Sequence, residues 1–239
     1  MNDDAGRRVL LRYYRAYLEI AQRRGLGIIL DSPTWRSNTD WGNKLGYSKQ
    51  ELASINKKAI RFIEDLRILF ETEQSIIVVD GVIGPRGDGY VPSARMSAQE
   101  AASYHSDQIS AFAESSADMI TALTMNYVEE AVGIAMAAKS ADIPIAISFT
   151  VETDGRLPTG QSLQDAIKTT DAATGDGPIY VMPNSTNHQR LMQVTLRFAL
   201  PACGRAWTML GSRKNSKRGK CLKMPQNPTR QVHALLGAF

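Results

Sequence analysis

The sequence predicts a parallel α/β fold, and three observations carry that expectation. Short apolar runs rich in β-branched residues alternate with patterns of helical period along most of the chain. Each run breaks into a polar loop, several of them bearing glycine, and two of the helices that follow open on a capping-box spacing. Alternation of this kind predicts parallel strands joined by right-handed crossovers. Two architectures satisfy it, a (β/α)8 barrel and an open doubly wound sheet. In both, chemistry gathers at the loops leaving the carboxyl ends of the strands.

The elements follow in order, helix first. Leu10, Tyr14, Leu18 and Ala21 recur at helical spacing between Arg7 and Arg24, and Gly25 and Gly27 end that helix. Gly27–Leu30 is a short buried strand, closed by Asp31-Ser32-Pro33-Thr34-Trp35 and a long polar loop. Ser48 with Glu51 has the capping-box spacing and opens a helix to about Glu73. Ser75–Val79 is a second strand, exiting into the loop Asp80–Tyr90. Ser97 with Glu100 repeats the capping box before a helix carrying Tyr104, His105, Gln108 and Phe112. Ala117–Met125 is a third strand, and Val128–Ser140 an alanine-rich helix. The fourth strand, Pro144–Val151, enters a loop with Glu152, Asp154, Gly155 and Gly160, followed by a helix from Ser162 to about Thr170. Pro178–Met182 is a fifth strand, and a helix is expected from about Gln189 to Ala199. Five strands are evident where a closed barrel needs eight.

At 239 residues, 43% hydrophobic and 22% charged, the chain suits one globular domain. No apolar run is long enough to span a membrane, the first residues lack a signal-peptide core, and two cysteines make no disulfide framework. A reducing cytoplasm is the expected location. The net charge of +4 hides a division. Residues 1–204 carry −4, whereas 205–239 hold eight basic residues and no acid, and the last acidic residue is Asp176. The reading is a domain over 1–200 followed by a basic, disordered tail over 201–239. Such a tail also suits nucleic acid or an anionic surface, but it lacks aromatic interleaving and any nucleic-acid fold signature.

Several strand–loop junctions together identify a resemblance. DSPTW (31–35), GVIGPRGDGY (81–90), YHSDQ (104–108), TMNYVEEA (124–131) and ISFTVETDGRLPTG (147–160) resemble the homocysteine S-methyltransferase family, from about Leu10 to Leu191. The resemblance implies a (β/α)8 TIM-type barrel, here incomplete, with its first strand and last strands missing or altered. It implies methyl transfer from a sulfonium or ammonium donor to the homocysteine thiol, giving methionine. It also implies Zn2+, held by three cysteines, which lowers the thiol pKa of the bound substrate. Substrate-binding candidates at strand ends are Asp31, Thr34, Trp35, Gly84, Glu152, Asp154 and Asn184.

The sequence departs from the family pattern at the metal. Ser185 stands where the family has its first zinc cysteine, and no adjacent Cys-Cys pair occurs, Cys203 and Cys221 being far apart. Leu123 takes the place of the acid that many members use to hold the homocysteine amino group. No cofactor is therefore expected in this chain, and activity is expected to be lost or reduced. A frameshift or gene-model error near Leu200 is one account of the basic tail. The alternative function is a non-catalytic module binding a small molecule or a protein, and exposed sheet edges would favour self-association. Plainer readings stand beside the functional ones. Glu152 and Asp154 also suit a solvated loop, Trp35 suits core packing, Gly84–Gly89 a tight turn, and His105 a packing or hydrogen-bonding role on a helix.

Overall fold

A computed structural model describes residues 3–92 and 95–184 of the chain. Ser185 and the expected helix at 189–199 lie outside the described residues, as do both cysteines and the basic tail. The elements in chain order are α1 (Asp4–Arg24), β1 (Ile28–Asp31), α2 (Thr39–Lys44), α3 (Lys49–Phe70), β2 (Ile77–Ile83), α4 (Ala98–Ala113), β3 (Met119–Met125), α5 (Val128–Ser140), β4 (Ile145–Thr150), α6 (Leu163–Thr174) and β5 (Tyr180–Asn184).

All five strands are parallel, and their order in the sheet is their order in the chain. Right-handed crossovers in such a sheet put every connecting helix on one face. The result is a curled half-barrel, not a doubly wound sheet, which settles the choice the sequence left open. Alternation along the strands divides the side chains between two faces. Ile77, Val79, Ile120 and Ile147 point outward and pack with helical Leu18, Ile63, Phe112 and Ile134 in the main core. Val78, Met119, Ala146 and Tyr180 form a smaller cluster on the inner face.

Local chemistry places the helix ends as expected. Ser48 and Ser97 each accept from the backbone three residues on, while Glu51 and Glu100 bond back to the caps. Gly25 and Gly175 close α1 and α6 in the left-handed conformation. Between α3 and β3, Arg67 is 2% exposed and pairs with both Glu64 and Asp118. Asp118 also accepts from the Val79 N–H at 2.8 Å, so this ion cluster fixes the entry of β3 beside β2.

Two departures from expectation have physical causes. The polar loop after β1 contains the short helix α2, capped by Asn38, whose side chain accepts from the Trp41 N–H. β2 continues through Asp80-Gly81 to Ile83, although aspartate and glycine are disfavoured in strands. Asp80 faces inward, and Gly81 leaves room for Phe112, whose ring lies 2.8 Å from where a Cβ would sit.

Candidate active site at the carboxyl edge of the sheet

The loops leaving the carboxyl ends of the strands are tied to one another. At the end of β1, Ser32 Oγ accepts from the Val82 N–H at 3.0 Å, and Thr34 Oγ1 donates to the Val82 carbonyl at 2.8 Å. The Thr34 carbonyl accepts from Gln108 Nε2 at 3.2 Å. Thr34 is thus buried in the seam between β1, β2 and α4. Trp35 is half-buried, and its indole N–H donates to Thr124 Oγ1 at 3.0 Å. The Arg36 guanidinium lies 4.2 Å from the Trp35 ring centroid, so one cation-binding face of the indole is used within the chain.

Thr124 is the strained point of this edge. Its φ is 61, a left-handed conformation costly for a β-branched residue, and it lies where the β3–β4 register shifts between Ala122 and Met125. Strain of this kind concentrates at functional sites because surrounding contacts must hold it. Here they do. The Thr124 hydroxyl accepts from Trp35 and donates to the Leu123 carbonyl at 2.6 Å, and Gly89 packs against its side chain.

The loop after β2 drapes across β3 and β4. Gly84 sits where a Cβ would come within 2.3 Å of the Trp35 carbonyl oxygen, so no other residue fits without displacement. The Arg86 N–H donates to Glu130 Oε1 at 2.8 Å, and its side chain pairs with Asp40 at 2.9 Å while stacking on Tyr104. The Asp88 carboxylate accepts from the Tyr90 and Val91 N–H groups, which holds its pKa below the usual range. Asn126 Nδ2 donates to the Asp88 carbonyl at 2.6 Å and Thr150 Oγ1 to the Gly89 carbonyl at 3.1 Å. His105 and Glu130 are buried behind this loop, with Nε2 and Oε1 3.0 Å apart. His105 therefore takes the hydrogen-bonding role.

Below the loops, on the inner face, Asp31 stands directly opposite Asp80 in the β1–β2 register. Burial pushes the Asp31 carboxyl up to about 6. Burial first, then the neighbouring Asp31 charge, raises Asp80 well above the ordinary carboxylate range. The Tyr14 hydroxyl donates to the Asp31 carbonyl at 2.6 Å, locking the strand end against α1.

The remaining sequence candidates are more dispersed. Glu152 and Asp154 are exposed on the β4 exit loop, where Asp154 Oδ1 accepts from the Arg156 N–H at 2.9 Å and shapes the turn. Asn184 pairs with Thr150 in the β4–β5 register, and its carbonyl accepts from the Val151 N–H. Asp31, Trp35 and Gly84 therefore lie at the carboxyl ends of β1 and β2, Thr34 in the seam beside them, and Glu152, Asp154 and Asn184 at the ends of β4 and β5. Sequence reading missed Asp80, Thr124, Asn126, Glu130 and Thr150. The alternation Val78, Asp80, Val82 was the available signal for Asp80; nothing local announces the conformation of Thr124.

A parallel half-barrel with interlocked loops at its carboxyl edge is compatible with an incomplete (β/α) barrel. The family model described as homocysteine S-methyltransferase matches residues 5–230, and the chain belongs to that family. The match runs further at both ends than the motif resemblance from Leu10 to Leu191. Solved structures of the Escherichia coli homocysteine methyltransferase MmuM share the fold at 16% identity. The metallated form superposes with a TM-score of 0.62 over 70% of this chain and 60% of that one. The oxidized form gives 0.60 over 89% of this chain and 83% of that one. This chain thus spans about three-fifths of the metallated structure. Comparison with curated proteins finds no similar sequence. No helix among the described residues is long and apolar enough to cross a membrane.

Proposed function

We propose that the chain is a homocysteine S-methyltransferase-type barrel in which methyl transfer to homocysteine is lost or much reduced. Family membership supports the reaction class, and Ser185 carries the reading of reduced activity. The reaction needs a thiolate. A free thiol with a pKa of about 8.5 is only a few per cent ionised near neutral pH. Zinc held by thiolates would overcome this by binding the substrate sulfur in its open position. A neutral serine hydroxyl is a poor substitute, and the 239 residues contain no cysteine pair. Among the described residues, no group of three or more His, Cys, Asp and Glu side chains is arranged to hold a metal. The residues present do not fit a thiolate-held zinc.

In this reading Asp31, Trp35, Gly84 and Asn184 line the substrate mouth, Thr34 shapes it from below, and Glu152 and Asp154 form its rim. The test is metal analysis of purified protein beside homocysteine-dependent methionine formation with S-methylmethionine, S-adenosylmethionine or betaine. The expected result is no stoichiometric zinc and no significant turnover, with S185C alone restoring neither. One equivalent of zinc per chain together with turnover overturns the reading.

The second reading is a non-catalytic binding module. Its support is that the mouth is held by Trp35–Thr124, Asn126–Asp88 and Thr150–Gly89 bonds, none of which needs a metal. Saturable calorimetric binding of homocysteine or methionine, without turnover, is the outcome that favours it.

A further inference from the structure

Behind the mouth, between α2, α3 and α4, lies a cavity of about 20 Å³ lined by Asn38, Asn56, Tyr104, His105 and Gln108 among others. Three buried polar atoms of its lining residues have no hydrogen-bond partner: Asn38 Nδ2, His105 Nδ1 and Gln108 Oε1. Those residues are at most 5% exposed, so bulk water does not satisfy them.

The bonds made by the other end of each side chain fix which atom is left over. Asn38 Oδ1 accepts from the Trp41 N–H, so the atom remaining is the amide nitrogen, a donor. Gln108 Nε2 lies between two acceptors, the Thr34 carbonyl and Asn56 Oδ1, so the atom remaining is the carbonyl oxygen, an acceptor. On the neutral ring, with Nε2 donating to the Glu130 carboxylate, His105 Nδ1 is left as an acceptor. The unmet needs are therefore one donor and two acceptors.

We propose that this cavity is a binding site for a single ordered water. A water donates twice and accepts at least once, which matches the three open groups. The volume exceeds the roughly 10–15 Å³ one water requires and is too small for an organic ligand. Ammonium has no lone pair for Asn38, and an alcohol has a single proton for two acceptors. The bound water joins α4 to the cap of α2. Through Gln108 and Asn38 it thus helps position the Thr34–Trp35 segment of the mouth.

The direct test is a crystal structure at a resolution that shows ordered solvent. It should place one water within about 3.2 Å of all three atoms. No ordered atom there, or one touching fewer than all three, overturns the proposal. The variant N38S gives an independent readout without burying a new charge. Serine and asparagine cap helices about equally well, so an ordinary cap predicts an unchanged urea midpoint. The water site predicts a folding constant about fivefold lower, because the water loses its donor. An unchanged midpoint in N38S removes Asn38 from the site and overturns the three-point arrangement.

Discussion

Asp31 and Asp80 share a buried face, and the sign of the resulting pH effect can be worked out. The unfolded carboxyl titrates near pH 3.9, and the folded Asp31 near 6. Between those values the folded chain binds more protons than the unfolded one. Its stability is therefore fully present below about pH 4 and falls as pH rises through about 6. Urea titrations across that range should show a loss of roughly 2–3 kcal/mol from Asp31, and D31N should flatten it. A second single-residue prediction concerns Gly84. G84A forces a methyl onto the Trp35 carbonyl and should destabilise by roughly 1–3 kcal/mol, with a shift in tryptophan emission. Sequence pattern placed Asp31 and Gly84 at strand ends because strand, loop and glycine are local signals. It did not place Asp80, because the register that sets it opposite Asp31 joins residues 49 apart.

Among elements, α4 governs the edge of the sheet. Its Tyr104, His105 and Gln108 reach the loops of both β1 and β2, directly or through Glu130. Glu130 Oε1 receives the Arg86 N–H, and a glutamine oxygen can do the same. E130A should speed amide exchange across residues 84–90 and destabilise by roughly 2–3 kcal/mol, whereas E130Q should retain most of the protection. Equal exchange in the two variants would mean that charge, not the acceptor, holds the loop. Arg67 offers a parallel test at the α3–β3 junction. R67A removes the buried cation shared by Asp118 and Glu64 and should cost about 3–5 kcal/mol by chemical denaturation. Helix starts were legible at this scale, since Ser48–Glu51 and Ser97–Glu100 are short-range signatures. The extension of β2 through Asp80-Gly81 was not, because the reason lies in Phe112 on another element.

For the molecule as a whole, the parallel sheet with its helical crossovers was legible from alternation, and the family from motifs at successive strand ends. Curvature was not, since local period does not distinguish a barrel from an open sheet. Among the described residues, β1 and β5 are each paired along one edge only. Unpaired strand edges template association. Size-exclusion chromatography over a concentration series should show oligomers growing with concentration; a single monomeric peak throughout would count against this.

The sequential strand order has one more consequence, for synthesis. Among the described residues, each strand after β1 pairs with the strand made just before it. Each unit leaving the ribosome meets a surface already laid down. Domains fold from the N-terminus during synthesis at about 5–20 residues per second. A sheet assembled in the order of translation can therefore grow strand by strand on the nascent chain.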